Sequence, residues 1–265
     1  MKLNSIKLKK IKGDASFRYF YKKEENKKKS VIVYATKEKK KNLLIYDAIN
    51  SLLIKNRILA PKLYKENYKK NFLEIEDFGD NTIFNLLNRK KGNKINLYKK
   101  TINLLIRIQK IKQNKTKTFQ NKIYKLPIYN NQKLFSEAKL FIDWYAKKII
   151  SKNKLPRLKI DLNKQIKFLL SNIKIKDNVF VHRDFHVSNL MQHKGQLAII
   201  DSQDALKGNK AYDLASLIDD VRYKTNKNFK DNIYKYYLKF NKSYINKDDF
   251  LNDFEILSVI RNMKI

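Results

Sequence analysis

One stretch of the sequence brings together the residue types that phosphoryl transfer requires. It runs His182-Arg183-Asp184-Phe185-His186-Val187-Ser188-Asn189, and Asp201 follows it. A carboxylate such as Asp184 can accept the proton of a hydroxyl group, and the oxygens of Asn189 and Asp201 suit Mg²⁺. These residue types predict a site that moves a phosphoryl group from a Mg²⁺-bound nucleotide to a hydroxyl group.

The spacing within this stretch is that of the protein-kinase catalytic loop, H-R-D-x-x-x-x-N. In that pattern the Asp takes up the proton of the substrate hydroxyl and the Asn holds Mg²⁺. Taken singly, Asp184 is more simply explained as a turn cap and His182 as a core histidine. Their joint order and spacing favour the site over these structural explanations.

A hairpin must position the two metal ligands. Leu190–Gln192 and Gln196–Ile200 read as strands on either side of a turn at Gly195. Because Asn189 and Asp201 lie symmetrically about that turn, the hairpin brings them together at its open end. The sequence therefore predicts two neighbouring oxygen ligands.

The stretch after Asp201 indicates the class of acceptor. A protein kinase needs roughly 20 to 30 residues between its metal-binding Asp and an A-P-E segment in order to hold a peptide. Here a helical pattern begins at Ala211 and there is no A-P-E segment, so a small-molecule acceptor is favoured. Asp213, near the start of that helix, is expected to brace the catalytic loop or to cap the helix.

The region before the catalytic stretch is predicted to be a small, strand-rich lobe. Strand patterns at Ser16–Tyr21 and Val31–Ala35 are joined by a charged turn over Lys22–Lys29. Lys41–Asn56 has the apolar spacing of a helix, and Asn71–Glu76 reads as a further strand. These patterns predict a sheet with one helix packed on it.

Two segments of this lobe are expected to contact the nucleotide. Main-chain amides of a turn at Gly13–Ser16 would cover the ATP phosphates, and main-chain groups around Glu76 to Phe78 would bond the adenine ring. Each segment by itself also fits an ordinary turn. Protein kinases place a strand Lys at the phosphates. Here that strand has none, so another cation must meet them; Arg18 or Lys37 could reach, and nothing in the sequence selects between the two.

From Thr82 onward, helical patterns dominate. They cover Asn96–Lys112, Leu134–Ile150 and Ile166–Ile173, with a polar loop between Asn114 and Asn131. The second of these patterns carries Glu137 beside Trp144 and Tyr145, a cluster that could stack on and bond a sugar. Core packing is nevertheless the favoured role of Trp144.

The composition is that of a globular protein with a strong basic excess. Hydrophobic residues make up 43% and aromatic residues 12% of 265 residues, and the formal net charge is +35. The charge comes mainly from Lys spread along the chain, whereas nucleic-acid readout favours clustered Arg. An A/T-rich genome is therefore the favoured explanation, and no specific nucleic-acid partner is expected.

The sequence also bears on the compartment. It has no Cys, its N-terminus has no apolar leader, and no apolar run approaches the roughly 20 residues of a membrane span. These observations predict a cytoplasmic protein without a membrane segment. A basic nucleic-acid-binding module, or a kinase-like scaffold without activity, is the alternative from a different functional class.

Several motifs together resemble the aminoglycoside phosphotransferase superfamily. Besides the catalytic stretch through Met191, they are Asp14-Ala15-Ser16-Phe17-Arg18-x-Phe20, Glu76-Asp77-Phe78-Gly79, Glu137-x-x-Leu140-Phe141-x-x-Trp144-Tyr145, Ile200-Asp201-x-Gln203-Asp204-Ala205 and Tyr212-Asp213-Leu214-x-Ser216-Leu217. Within that superfamily the chain most resembles the bacterial anomeric cell-wall sugar kinases, which phosphorylate N-acetylmuramate and N-acetylglucosamine at carbon 1. The likeness spans nearly the whole chain.

The resemblance implies an α+β, bilobal, protein-kinase-like fold, with a nucleotide-binding lobe at 1–78 and a catalytic and acceptor-binding lobe at 79–265. It implies ATP and Mg²⁺, an amino-sugar acceptor in cell-wall recycling, Asp184 as catalytic base, and Asn189 and Asp201 as metal ligands. The implied nucleotide contacts are Ser16, Phe17, Arg18, Glu76 and Phe78. The implied acceptor contacts are Glu137, Trp144, His186 and Asp204.

The sequence departs from the family pattern in two places, and for this reason the identity of the acceptor is less well determined than the type of reaction. Ser202 stands where the family pattern usually has an aromatic residue, and His186 and Val187 are positions that vary with the acceptor. An antibiotic- or choline-type kinase of the same superfamily is therefore the alternative. Arg261–Ile265 resembles a helix that continues further in the family, so a truncated copy is expected.

Overall fold

The computed structural model of the chain describes residues 7–11, 18–89, 93–240 and 246–264. The strands are β1 (Lys7–Ile11), β2 (Arg18–Glu25), β3 (Lys28–Ala35), β4 (Leu63–Asn67), β5 (Phe72–Glu76), β6 (Lys115–Lys117), β7 (Ile123–Lys125), β8 (Val179–Val181), β9 (Leu190–His193), β10 (Gln196–Ile199) and β11 (Leu206–Gly208). The helices are α1 (Lys41–Lys55), α2 (Ile83–Asn88), α3 (Lys94–Gln109), α4 (Asn131–Leu140), α5 (Lys147–Ile149), α6 (Leu155–Ser171), α7 (Ala211–Ile218), α8 (Lys227–Lys239) and α9 (Lys247–Asn262). A 3-10 turn covers Lys37–Lys39, and a π-helix covers Phe141–Ala146.

The chain divides into two compact units. The first consists of Met1–Arg89, Gln113–Lys125 and Ser188–Asp204, and the second of Lys90–Lys112, Leu126–Val187 and Ala205–Ile265. Each unit is built from separated stretches, whereas the predicted lobes are continuous; the predicted lobe boundary stays a prediction. The strand-rich first unit and the helix-rich second unit confirm the α+β class.

An antiparallel sheet of order β1-β2-β3-β5-β4 forms most of the first unit. The β2–β3 turn consists of Asn26 and Lys27, with φ values of 51° and 62°. Two residues of positive φ match the twist of a hairpin, because this turn geometry follows the right-handed twist of the strands. The predicted turn over Lys22–Lys29 was therefore too long, since both strands continue through its charged residues.

Helix α1 packs on this sheet and confirms the predicted helix. Val33, Leu43 and Leu73 are fully buried in their shared core. The predicted polar loop after Asn114 instead contains the β6–β7 hairpin. Thr116 of that hairpin donates a hydrogen bond to the Ala48 carbonyl of α1 at 3.2 Å, a long-range contact that no local pattern encodes.

The predicted hairpin after the catalytic loop is present as β9 and β10. Leu190 pairs with Ile199, and the turn consists of Lys194 and Gly195, with φ values of 46° and 78°. The backbone N–H of Ile199 donates to the Leu59 carbonyl at 2.9 Å. This bond joins the hairpin to the rest of the first unit.

Helices form most of the second unit, and α6 is longer than predicted. Its start at Leu155 is supported by Pro156 in the first turn, where a missing N–H costs nothing. The apolar periodicity predicted too short a helix, because some apolar side chains of α6 face solvent and break the pattern of one buried face. Ile160 is 69% exposed and Phe168 is 62% exposed.

The π-helix overturns the predicted core role of Trp144. Ile142 and Ala146, four residues apart, are buried at 1% exposure each, whereas Trp144 is 68% exposed. Residues four apart share a helix face and the residue midway between them points away from it. Trp144 therefore lies on the surface.

The catalytic stretch lies between buried elements. Strand β8, predicted at Val179–Val181, pairs with β11, and Leu206 lies opposite Val181. All residues of α7 are buried, and α9 packs against this helix. No helix in the described stretches is both long and apolar enough to span a bilayer.

Candidate active site

The buried carboxylate of Asp213 holds the backbone of the catalytic loop in place. Asp213 of α7 is fully buried, and its two oxygens accept hydrogen bonds from the backbone N–H groups of His182 at 2.6 Å and of Arg183 at 3.0 Å. Burial raises the pKa of Asp213 to about 7, and the two N–H donors act in the opposite direction. Of the two roles expected for Asp213, bracing the loop is the one these bonds perform.

The residue before Asp184 is held in a strained conformation. Arg183 has a φ of 76°, which is sparsely populated for a residue with a side chain. Its guanidinium forms an ion pair with Glu137 and lies 5.5 Å from the ring centroid of Tyr129. The Tyr129 hydroxyl donates to Glu137 at 2.6 Å. Glu137 thus fixes Arg183, a contact that the predicted role in sugar binding did not include.

Asp184 itself is held as a carboxylate by nearby cations. The Nζ atom of Lys264 lies 3.3 Å from Oδ1 of Asp184 and 3.7 Å from Oε2 of Glu137. Burial by itself raises the Asp184 pKa, but the positive charges around it, that of Lys264 first, lower it below its usual value. Asp184 is therefore ionised near neutral pH, as a proton acceptor must be.

His186 is buried and neutral. It is 5% exposed, and its backbone N–H donates to the Asp184 carbonyl at 3.0 Å. Burial lowers the pKa of its imidazole to about 3; the charges of Arg222 and Arg261 add to this effect, and that of Asp184 opposes it. The predicted acceptor contact thus lies beside the proposed base as an uncharged ring.

In the first unit, the hairpin brings the two predicted metal ligands together. The backbone N–H of Ile200 donates to the Asn189 carbonyl at 3.0 Å, which puts Asn189 beside Asp201 at the open end. Asp201 has a φ of 59°, a second strained residue. Two oxygen-bearing side chains at one place fit Mg²⁺, which keeps several waters and phosphate oxygens and uses few protein ligands.

Arg18, rather than Lys37, is the cation beside these ligands. Its side chain is 4% exposed, and Nη2 lies 3.4 Å from Oδ1 of Asp201 and 3.9 Å from Oδ2 of Asp204. Lys37 lies in the exposed 3-10 turn.

Asp204, predicted to contact the acceptor, belongs to the first unit and accepts a hydrogen bond from the Gln203 side chain at 2.8 Å.

In the segment predicted to bind adenine, one main-chain group is already hydrogen-bonded within the sheet. The backbone N–H of Glu76 donates to the Lys62 carbonyl at 2.9 Å, so it is taken by the sheet edge. Phe78 is 6% exposed and packs with Met191 and Ala198, so it forms an apolar surface of the kind that covers a base. Its contact with adenine stays a prediction.

Two predicted nucleotide contacts, Ser16 and Phe17, lie outside the described residues, as does the turn at Gly13–Ser16.

Ser202, the departure from the family pattern, is buried, and its hydroxyl donates a hydrogen bond to Oδ1 of Asn50 at 2.7 Å. This bond fastens the residue after Asp201 to α1.

The sequence reasoning missed the contribution of α9 and of the turn that follows it. Lys264 was treated only as part of a helix end, although it contacts the proposed base, and Arg261 is 2% exposed. The available signal was a basic residue at a core position: Asp253, Leu257 and Arg261 are spaced by four and share one helix face.

The chain matches known proteins in sequence. Residues 7–246 match the model of the Phosphotransferase enzyme family. An N-acetylmuramate/N-acetylglucosamine kinase of Neisseria meningitidis is 25% identical over 259 residues, which is 95% of this chain and 74% of that protein. The chain spans about half, 48%, of the length of two further curated relatives of the same name from Pseudomonas.

Solved structures share the fold. An ethanolamine kinase of Plasmodium vivax superposes with a TM-score of 0.65 at 17% identity, over 98% of this chain and 74% of that one. An aminoglycoside phosphotransferase of Streptomyces rimosus, in complex with ADP and streptomycin, gives a TM-score of 0.60 at 11% identity over 90% of each chain. These similarities confirm the predicted protein-kinase-like fold of the aminoglycoside phosphotransferases.

Proposed function

Because the chain belongs to the phosphotransferase enzyme family, we propose that it transfers the γ-phosphoryl group of ATP to a hydroxyl group of a small molecule. The observation that carries this proposal is the position of Asp184. The Lys264 ammonium lies 3.3 Å from this carboxylate, and Asp213 and Glu137 hold the loop residue before it. An oriented carboxylate of this kind is what the acceptor hydroxyl requires.

In the proposed reaction the acceptor oxygen attacks the γ-phosphorus while Asp184 takes up the hydroxyl proton. The bond between the γ-phosphorus and the β,γ-bridging oxygen breaks, and ADP leaves. Asn189 and Asp201 would hold Mg²⁺, which neutralises charge on the phosphates. Arg18, already paired with Asp201, is the proposed cation for the phosphates in place of a strand Lys.

For the acceptor we propose the anomeric hydroxyl of N-acetylmuramate or N-acetylglucosamine, in the recycling of cell-wall sugars. Two observations support it: the curated relatives carry these sugars in their names, and α7 begins at Ala211, soon after Asp201, which leaves no room for a peptide platform. An antibiotic or an amino alcohol is the alternative acceptor class.

The test is release of ADP by the purified protein with ATP, Mg²⁺ and each sugar. We expect turnover, and we expect Asp184→Asn to lower kcat by about 100-fold or more, because general base catalysis contributes that much. Asp161→Asn, an exposed carboxylate on α6, is the matched control and should retain the wild-type rate. Failure of both sugars to raise ADP release would refute the acceptor.

Nucleotide binding separates the enzyme from a basic module without activity. Mg·ATP at 100 times its Kd should stabilise the wild-type protein by about 2.7 kcal/mol, and Asp201→Asn should weaken this effect. Absence of any thermal shift, together with RNA binding that falls steeply with salt, would instead support the module.

A further inference from the structure

Helix α9 carries a guanidinium group where an apolar side chain is expected. Leu257 and Ile260 are buried on its inner side, and Arg261 beside them is 2% exposed. Within the stretches that the structure describes, none of the three guanidinium nitrogens of Arg261 has a hydrogen-bond partner. A buried cation without a partner is strongly unfavourable, whereas one that meets an anion is not. The position therefore calls for an anion.

The neighbours of Arg261 in the second unit do not supply that anion through a direct bond. Arg261 acts electrostatically on His186, Tyr212 and Asp213. Of these only Asp213 carries a carboxylate, and both of its oxygens are used by main-chain N–H groups of the catalytic loop. His186 is neutral, since its pKa is lowered to about 3.

The other charges around the loop are matched. Arg183 pairs with Glu137, and Arg222 lies 3.2 Å from its partner Asp220. Arg261 differs from them, because within the described stretches its guanidinium nitrogens have no hydrogen-bond partner. An anionic group of a ligand would supply one.

Lys264 connects Arg261 to the proposed base. It lies in the turn after α9 ends at Asn262, and its backbone N–H donates a hydrogen bond to the Arg261 carbonyl at 3.0 Å. Its ammonium lies 3.3 Å from Asp184 and its side chain is 20% exposed, so Lys264 is the accessible member of the pair and Arg261 the buried one.

We propose that Arg261 and Lys264 form an anion subsite for the acceptor, which receives the carboxylate of an acidic sugar. The planar guanidinium matches a carboxylate in shape and charge. This inference rests on the proposed function, because it takes Asp184 to be the group that meets the acceptor hydroxyl. It selects, between the two sugars proposed above, the one that carries a carboxylate: N-acetylmuramate has a lactyl carboxylate that N-acetylglucosamine lacks.

The two sugars form a matched pair for the test. Their dissociation constants are measured by titration calorimetry on the wild-type protein and on Lys264→Gln and Arg261→Gln, with Lys264→Arg and Arg261→Lys as charge-preserving controls. We expect the wild type to bind N-acetylmuramate at least tenfold more tightly. Each Gln variant should reduce this preference about tenfold, and each control should retain most of it. The ratio of kcat/KM for the two sugars should change in the same way.

Equal affinity of the wild type for both sugars, or a preference that survives in both Gln variants, would overturn the subsite. Lys264→Gln keeps the test decisive if Arg261→Gln does not fold, because Lys264 is partly exposed. The proposed function has its own test: it fails if no ADP is released. The subsite is tested independently, by the difference in affinity between the two sugars.

Discussion

The carboxylate of Asp213 accepts a hydrogen bond from the backbone N–H of Arg183 at 3.0 Å. Arg183 has a φ of 76° and directly precedes the proposed base. A strained backbone persists only where its surroundings determine it. The bond from α7 therefore fixes the conformation from which Asp184 projects.

Asp213→Asn should lower kcat about tenfold or more, because an amide offers one acceptor oxygen to two N–H groups. The affinity for Mg·ATP should change little, since the predicted nucleotide residues belong to the first unit. Steady-state kinetics and nucleotide titration measure the two effects.

A second buried carboxylate provides the control for that variant. Asp253 accepts hydrogen bonds from the backbone N–H groups of Lys174 and Ile175, both at 2.8 Å. Asp253→Asn should lower the free energy of unfolding by about 1 to 3 kcal/mol, as Asp213→Asn should, but should leave kcat near the wild-type value. Equal losses of kcat in both variants would show that Asp213 acts through stability alone.

Arg18→Met should weaken Mg·ATP binding about tenfold or more, because it removes the buried cation beside Asp201. Lys37→Met removes the exposed alternative and should leave the affinity unchanged. Nucleotide titration of both variants makes the comparison. The reverse result, a loss with Lys37→Met alone, would assign the phosphates to Lys37.

Asp47→Asn should alter the dependence of stability on pH. Asp47 of α1 is 7% exposed, and burial raises its pKa to about 6 from an ordinary value of 3.8. Between these values the folded protein binds more protons than the unfolded chain, so this group's contribution to stability is full below pH 4 and is lost as pH rises through 6. The loss is of order 2 to 3 kcal/mol.

Urea unfolding at pH 4.5 and pH 7 measures this effect. The Asn variant should gain stability relative to wild type as pH rises, because it has no proton to lose. Asp161→Asn, at an exposed position, should show no such trend. A difference between Asp47→Asn and wild type that does not change with pH would contradict the raised pKa.

Arg261→Met should raise the free energy of unfolding of the protein without acceptor, by about 1 to 4 kcal/mol, because it removes a buried guanidinium that has no hydrogen-bond partner within the described stretches. Arg222→Met should have the opposite sign, since it leaves the buried Asp220 without its cation. Thermal unfolding of both variants gives the comparison. Destabilisation by Arg261→Met would mean that Arg261 already has a compensating charge.

Local patterns predicted the secondary structure around the catalytic stretch correctly for a physical reason. The hairpin that joins Asn189 to Asp201 closes through a two-residue turn, so its register follows from the spacing of neighbouring residues. The strand before the loop and helix α1 were likewise found from short periodicities. These features need no information beyond a window of about 18 residues.

The boundaries and roles that went wrong depend on partners elsewhere in the chain. Trp144 has the spacing of a core residue but lies on the exposed side of a π-helix. The β6–β7 hairpin within the predicted loop is held by a bond to α1. Sequence periodicity does not report which face of an element finds a neighbour.

By itself the sequence predicted the phosphotransferase family, since the motif of Asp184, Asn189 and Asp201 is a matter of short, local spacing. Only the tertiary structure decided which charges surround them. Arg18 reaches Asp201 across 183 positions and Lys264 reaches Asp184 across 80. Contacts between residues so far apart in the chain depend on how whole helices and strands pack. The local patterns of one sequence do not specify that packing.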